Sequence, residues 1–454
     1  MKILIMIGQL LLSLSILITL HEMGHFMTAR WFKTRVEKFY LFFDFLFPLA
    51  NVLNFALWKK KIGDTEYGIG WFPLGGYVKI AGMIDESNDT AFLDQPPQPW
   101  EFRTKPAWQR LIIMLGGVIV NFLLGGLIYA GVLAYWGEEF LPAKNVEYGI
   151  YADSLGQKIG LQDGDKILMV GEQPFVKFSE PLVKRAIIIE NVDRLTVERA
   201  GQNVVINVPA DFTKELAAHE NKDKVLFGVR LPFIAGELHK GSPAEKVGIK
   251  VGDQIIGYND IATPYFQDFQ RLASKNPNKD VSVKVLRNKT DTLSFTLKLT
   301  EEGKAGIYPK GPGEFFELQR KDYSLLQALP AGFVKGVDFL TVQLKAFGQM
   351  FKGKIKASDS LGGFASIGQM FGSEWLWERF WSMTAALSII LAFMNLLPIP
   401  ALDGGYVMFL LFEMVTGRKP SDKFMEWAGT IGFFILIALM LWANGLDVLR
   451  GCSR

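Results

Sequence analysis

Cysteine is nearly missing from this sequence of 454 residues. The single one, Cys452, excludes an intramolecular disulfide, so every folded part must hold together without covalent staples. Histidine is almost as scarce. His21, His25, His219 and His239 are the full stock, and an imidazole-based metal site must draw on them. Charge is thin as well: Asp, Glu, Lys and Arg make up 21% of the chain against 49% apolar residues, a balance that fits a membrane protein. The net charge of +3 gives no reason to expect a nucleic-acid partner.

What is present in quantity is uninterrupted apolar sequence. Four stretches stand out: 3–20, ending directly in His21; 111–136, with no charge; about 380–412, interrupted by Pro398 and Pro400; and about 427–442. Each approaches or exceeds the roughly 20 residues a helix needs to cross a bilayer. Trp31, Trp108, Trp136, Trp381 and Trp442 mark their ends, as interfacial belts do. The first stretch reads as a retained span rather than a cleaved leader, because only Lys2 precedes it and no small-x-small site follows. Lys and Arg crowd the segment from Arg30 to Arg110 and the turn holding Arg418, Lys419 and Lys423. The positive-inside rule puts both segments in the cytoplasm, leaving both termini and 137–379 outside.

The external segment contains a repeat. Residues 153–171 (DSLGQKIGLQDGDKILMVG) align without gaps on 241–259 (GSPAEKVGIKVGDQIIGYN), matching Ser154 to Ser242, Gly160 to Gly248, Gly164 to Gly252 and Asp165 to Asp253. Each copy reads as a short helix ending at glycine, a tight Gly-Asp turn and a strand. The pattern resembles PDZ domains of the bacterial protease-associated type. The resemblance implies peptide-binding strands at Tyr148-Gly149-Ile150 and Phe227-Gly228-Val229, which would add a peptide to a sheet edge or hold a terminal carboxylate. Small domains of this kind can equally serve as a size filter. Beyond them, Leu325, Leu329, Phe333, Val337 and Leu340 recur at helical spacing, which predicts an amphipathic helix at the membrane surface.

His21-Glu22-Met23-Gly24-His25 carries the chemistry. On a helix, positions i and i+4 share a face, so two imidazoles can reach one Zn²⁺ while Glu22 takes a proton from a water there. Histidine and glutamate in an apolar span are costly unless used. Zinc needs a third protein ligand and an open position. His219 and His239 fall in the external domains and Cys452 at the tail, so a carboxylate from another span is required. Asp403 and Glu413 are the candidates. Asp403 sits in Asn395-Leu396-Leu397-Pro398-Ile399-Pro400-Ala401-Leu402-Asp403-Gly404-Gly405, where the prolines break the helix beside two glycines. Freed backbone at membrane depth survives only against protein or a cavity, so this stretch reads as a site, whereas Glu413 reads as interfacial. At 1.5 Å per residue His21 lies roughly 30 Å into its span, and Asp403 reaches roughly the same depth in its own.

HEMGH in the first span and NLLPIPALDGG in a late one resemble the site-2 protease family of intramembrane metalloproteases, and the two tandem PDZ-like domains resemble its RseP branch in Gram-negative bacteria. The resemblance covers nearly the whole chain. It implies His21, His25 and Asp403 as zinc ligands, Glu22 as catalytic base and Asn395 as a residue that helps hold the substrate or orient the site. It further implies a membrane-associated β-hairpin at 68–86 that presents extended substrate through Gly75, Gly76, Tyr77, Val78 and Lys79. Four glycines for turns and Tyr77-Val78-Lys79-Ile80 for a strand suit that role. The implied partners are single-span membrane proteins of the anti-sigma-factor type, trimmed beforehand by another protease, and the implied location is the bacterial inner membrane. Three positions depart from the family pattern: Gly117-Val118 and Gly363-Phe364 stand where Gly-Pro is frequent, and Tyr406 stands where histidine follows Asp-Gly-Gly.

The expected architecture is a polytopic helical membrane protein with four transmembrane helices. In order it has a first helix at 1–28, a cytosolic segment at 29–104, a second helix at 105–137, PDZ-like domains at 138–222 and 223–310, an external amphipathic segment at 311–374, a third transmembrane segment at 375–415 and a fourth helix at 424–447. The competing readings are a conventional tethered zincin, which would place HExxH in a polar helix, and a non-enzymatic scaffold presenting two PDZ modules, which gives no reason for glutamate beside the histidines.

Overall fold

The computed structural model describes residues 1–45, 53–73, 75–83, 95–221, 224–360 and 362–452. The chain divides into two units. One comprises Met1–Gly137, Asp322–Leu344 and Leu361–Arg454; the other comprises Glu138–Lys321 and Lys345–Ser360.

The long helices are α1 (Lys2–Trp31), α2 (Ala107–Trp136), α3 (Leu325–Phe351), α4 (Trp377–Leu396), α5 (Asp403–Thr416) and α6 (Asp422–Cys452). Their limits follow local chemistry. Pro106 precedes α2, and Gly137, at φ 73°, ends it. Leu397 ends α4 in extended backbone, as a residue before proline must. Gly417 closes α5 in the left-handed region. The stretch expected as one third span at 375–415 is therefore two helices, α4 and α5, parted by the proline segment. Among the described residues, five helices meet the length and composition needed to cross a membrane. These are the four expected spans, with α4 as the third, and α3, which the sequence had suggested as a surface helix.

Between α1 and α2 lies a sheet of strands β1 (Val36–Leu41), β2 (Ala56–Ile62), β3 (Thr65–Gly70) and β4 (Tyr77–Ile80), in the order β2-β3-β1-β4. The hairpin expected at 68–86 is not formed. The true hairpin is β2–β3, turning at Gly63 with φ 62°. β1 intervenes between β3 and β4, parallel to the first and antiparallel to the second. Residues 84–86 lie outside the described ones. Among the described residues β4 is an edge of the sheet.

The second unit contains the repeat as two domains of one build. In each, a short helix (Ser154–Lys158, Pro243–Lys246) leads to a glycine at positive φ (Gly160, Gly248), a Gly-Asp turn and a strand (Lys166–Val170, Gln254–Tyr258). In each, the aspartate of the turn is buried and held bidentately by an arginine: Asp165 by Arg199 at 2.7 and 2.8 Å, Asp253 by Arg287 at 2.8 and 2.7 Å. The same arginines also donate to Gly160 O and Gly248 O. The boundary differs from that expected at 222/223. The strand Phe227–Val229 pairs antiparallel with Ile150–Ala152, and Phe227 lies in the first domain's core, so it completes the first domain rather than opening the second. The equivalent pair of the second domain is Ala235–Leu238 with Ile307–Pro309. A ribbon of Glu138–Phe140 against Gln319–Lys321 joins the entry and exit of the domain pair.

Candidate metal centre

The centre is built where the backbones of α1 and α2 meet at Gly24 and Gly116, with the Thr28 hydroxyl beside the contact. A Cβ on Gly24 would stand 2.3 Å from Gly116 O, and one on Gly116 would stand 2.6 Å from Gly24 O. Small residues are what allow such approach in apolar surroundings. A Cβ on Gly117 would fall 2.5 Å from both His21 Cε1 and His25 Nε2, so this glycine forms the floor beneath the rings. In Gly117→Ala the methyl must push the rings aside, so zinc affinity measured by chelator competition should fall at least about 10-fold, the scale of disturbed ligand orientation.

Three donor atoms converge. His21 Nε2 and His25 Nε2 are 3.2 Å apart, and Asp403 Oδ2 stands 3.2 Å from the first and 3.4 Å from the second. A tetrahedral ion bonded at about 2.0–2.1 Å spaces its ligand atoms by about 3.3–3.4 Å, so the residues present fit zinc. The other ring nitrogens are engaged from α2. His25 Nδ1 lies 2.8 Å from Ile113 O and donates to it, which leaves the Nε2 lone pair outward. Asn121 Nδ2 lies 3.2 Å from His21 Nδ1, while Asn121 Oδ1 is buried without a partner among the described residues; exchanging the two by an amide flip lets Oδ1 accept the Nδ1 proton in the same way. Both histidines are buried. Asp403 Oδ2 has no other hydrogen-bond partner among the described residues.

Asp403 is delivered by the break between α4 and α5. Beyond Pro398 and Pro400, Ala401 adopts φ 107°, a conformation costly for a residue with a side chain. Gly404 and Gly405 press on the carbonyls of Leu396, Leu397 and Ile399, where a Cβ would come within 2.2 to 2.7 Å. Asn395, from the last turn of α4, brings its amide 3.1 Å from His21 Nε2.

A cavity of about 690 Å³ opens over the centre, lined by His21, Glu22, His25, Asn395 and Asp403 together with Gly75, Gly76 and Val78 from the sheet. Tyr77 and Lys79, expected beside them, do not line it. Side chains alternate along a strand, and these two turn the other way. Tyr77 stacks on Tyr40 and donates to Asp44 Oδ1 at 2.9 Å, and Lys79 faces Glu37 at 3.8 Å. Glu413, read as interfacial, pairs with Arg110, and both side chains are mostly buried. Sequence reasoning gave no site role to Ile113, Asn121 or the cavity wall that α6 supplies through Glu426, Gly429, Thr430 and Phe433. Asn121 had a local signal, a lone amide in an uncharged apolar run.

The profile of Peptidase family M50 matches residues 9–439. Protease RseP of Yersinia pestis is 28% identical over 480 residues, covering 100% of both chains. Regulator of sigma E protease of Haemophilus influenzae is 27% identical over 470 residues, 98% of each chain. A Treponema pallidum protein named "Putative zinc metalloprotease" is 27% identical over 469 residues, again 98% of each.

Proposed function

The chain belongs to peptidase family M50, a family of zinc-dependent intramembrane proteases, and from that premise we propose that His21, His25 and Asp403 hold the zinc, that Glu22 is the catalytic base, and that the substrates are trimmed single-span membrane proteins. One observation carries this reading: three donor atoms within 4.8 Å of one another, on two separate helices, under a cavity that Glu22 also lines.

When bound, zinc supplies Lewis acidity, which polarises a peptide carbonyl and makes a nearby water acidic enough to ionise near neutral pH. The Glu22 carboxylate takes the proton from that water and returns it to the leaving amine nitrogen. Ile113 and Asn121 keep the imidazoles turned so that Nε2, not Nδ1, faces the centre. Asn395 stands close enough to the centre to hydrogen-bond a substrate carbonyl.

A helical substrate hides its peptide bonds in its own hydrogen bonds, so it must be unwound before it can be cut. β4 offers a partner for the unwound stretch, being a sheet edge whose Gly75, Gly76 and Val78 neighbourhood lines the cavity. In this reading the sheet is cytosolic, the termini and 138–321 lie outside, and the membrane is a bacterial inner membrane. The two repeated domains are PDZ-like and act as a size filter more than as carboxylate receptors. The names of the sigma-E-regulating relatives make an anti-sigma factor the first substrate class to test.

The test compares one model span with and without a central Gly-Pro, and with and without a folded external domain, on the intact enzyme and on one lacking 138–321. Broken, trimmed spans should be cut at least about 10-fold faster by the intact enzyme, and the deletion should admit untrimmed ones. Equal rates on all four substrates would overturn the reading of extended, filtered entry.

A further inference from the structure

At the end of α5 away from Asp403, a buried ion pair joins α5 to α2. Arg110 Nη2 donates to Glu413 Oε1 at 2.5 Å, and Arg110 Nε donates to Lys105 O at 2.9 Å. The two side chains are only 8% and 18% exposed. Buried charges of this kind depend on each other, because removing one strands its partner without water.

The pair lies on the same helix sides as the metal centre. On α5, Asp403, Val407, Leu410 and Glu413 follow at helical spacing along one side. Val407 and Leu410 pack in one cluster with Ile113 and Met114 of α2. On α2, Arg110, Ile113, Gly117 and Asn121 likewise share a side. Ile113 holds His25, Gly117 underlies both rings and Asn121 holds His21. One side of α2 thus fixes both histidines, while α5, which brings the third donor, is seated on that same side by two apolar residues and one charge pair.

We propose that Arg110 and Glu413 are positioning residues for the metal centre: their ion pair sets the seat of α5 on α2 and so the distance of Asp403 from the two imidazoles. The proposal rests on the reading of Asp403 as a zinc ligand. Val407 and Leu410 supply adhesion without direction, since apolar contacts tolerate small slides and rotations. A single charge–charge hydrogen bond does not. Ten residues separate Glu413 from Asp403, about 15 Å of helix, so a small rotation of α5 at one end is carried to the other.

The experiment measures zinc dissociation constants by chelator competition on the full-length protein in detergent. The variants are Glu413→Gln, Arg110→Met, the exchanged pair Arg110→Glu with Glu413→Arg, and Asp403→Ala. Thermal unfolding at saturating zinc serves as the fold control, and kcat and KM are read on a trimmed substrate. The single variants at the pair should bind zinc 10- to 100-fold more weakly, the range seen when a ligand's supporting partner is lost. kcat should fall with KM little changed. The exchanged pair should return affinity to within about threefold of the starting protein, which a purely adhesive role would not require.

Single variants that unfold while the exchanged pair folds and binds zinc tightly would also support the coupling. Folded single variants with unchanged zinc affinity would overturn it, as would a folded exchanged pair that stays weak. Asp403→Ala separates the two readings. If it keeps its zinc, the ligand assignment fails. If it loses zinc while Glu413→Gln does not, only the positioning role fails.

Discussion

Glu22→Gln should abolish cleavage while leaving the zinc in place. Glutamine keeps the length and shape of the side chain in the cavity wall but cannot accept a proton. His21, His25 and Asp403 are untouched by the change, and their mutual distances of 3.2 to 3.4 Å are set by the packing of α1 and α5 on α2 rather than by Glu22. Loss of a general base costs on the order of 10²–10⁴-fold in rate. Metal analysis of the purified variant should return about the same zinc per chain as the unaltered protein, and a trimmed substrate should accumulate uncut beside it. Cleavage at the original rate by the pure variant would remove Glu22 from the mechanism.

Asp403→Ala should produce the opposite pattern, an enzyme without metal. Two imidazoles alone leave zinc short of the three protein ligands that a catalytic site uses. The loss should exceed the roughly 10–100-fold penalty of removing a supporting partner. Because Asp403 is the first residue of α5 and its neighbours Gly404 and Gly405 are packed against backbone carbonyls, the helix should still form. Zinc content and circular dichroism on one preparation check both halves of the expectation. Retained zinc in this variant, together with an emptied site in Glu413→Ala, would mean that the third ligand is the other carboxylate.

The parts of this molecule that were legible in the sequence are those whose signal is local. HExxH is legible because two positions four apart on a helix must share a face, whatever surrounds them. Asp403 is legible because an acid flanked by prolines and glycines inside an apolar run has no cheap structural use. The Gly-Asp turns of the repeated domains are legible because positive φ at Gly164 and Gly252 is written in residue type.

What escaped was non-local. Glycines and alternation around 68–80 announce strands and turns correctly but say nothing about which strand lies next to which, and β1, some thirty residues upstream, takes the middle place. Phe227–Val229 looks like the opening strand of a second domain because a strand carries no mark of the domain that receives it. Tyr77 and Lys79 carried the same signal as Val78, and only the register on β1 decides which face each takes. The bond from Arg110 to Glu413 spans 303 positions, and helical spacing assigns each residue to a face of its helix without naming a partner.

The backbone contact between Gly24 and Gly116 also bears on how the enzyme meets bilayers of different thickness. A helix facing a thinner or thicker membrane answers by tilting, at a cost of fractions of a kcal/mol per Å of mismatch. Helices separated by long, soft side chains can answer independently, each at its own angle. α1 and α2 have no such cushion, since backbone meets backbone at the level of the histidines. Any tilt must therefore be taken by the two together, with the contact as the shared pivot. The donor atoms sit beside that pivot, where a change of angle moves atoms least. Bilayer mismatch is thereby expressed at the far helix ends, while the spacing of the imidazoles is conserved.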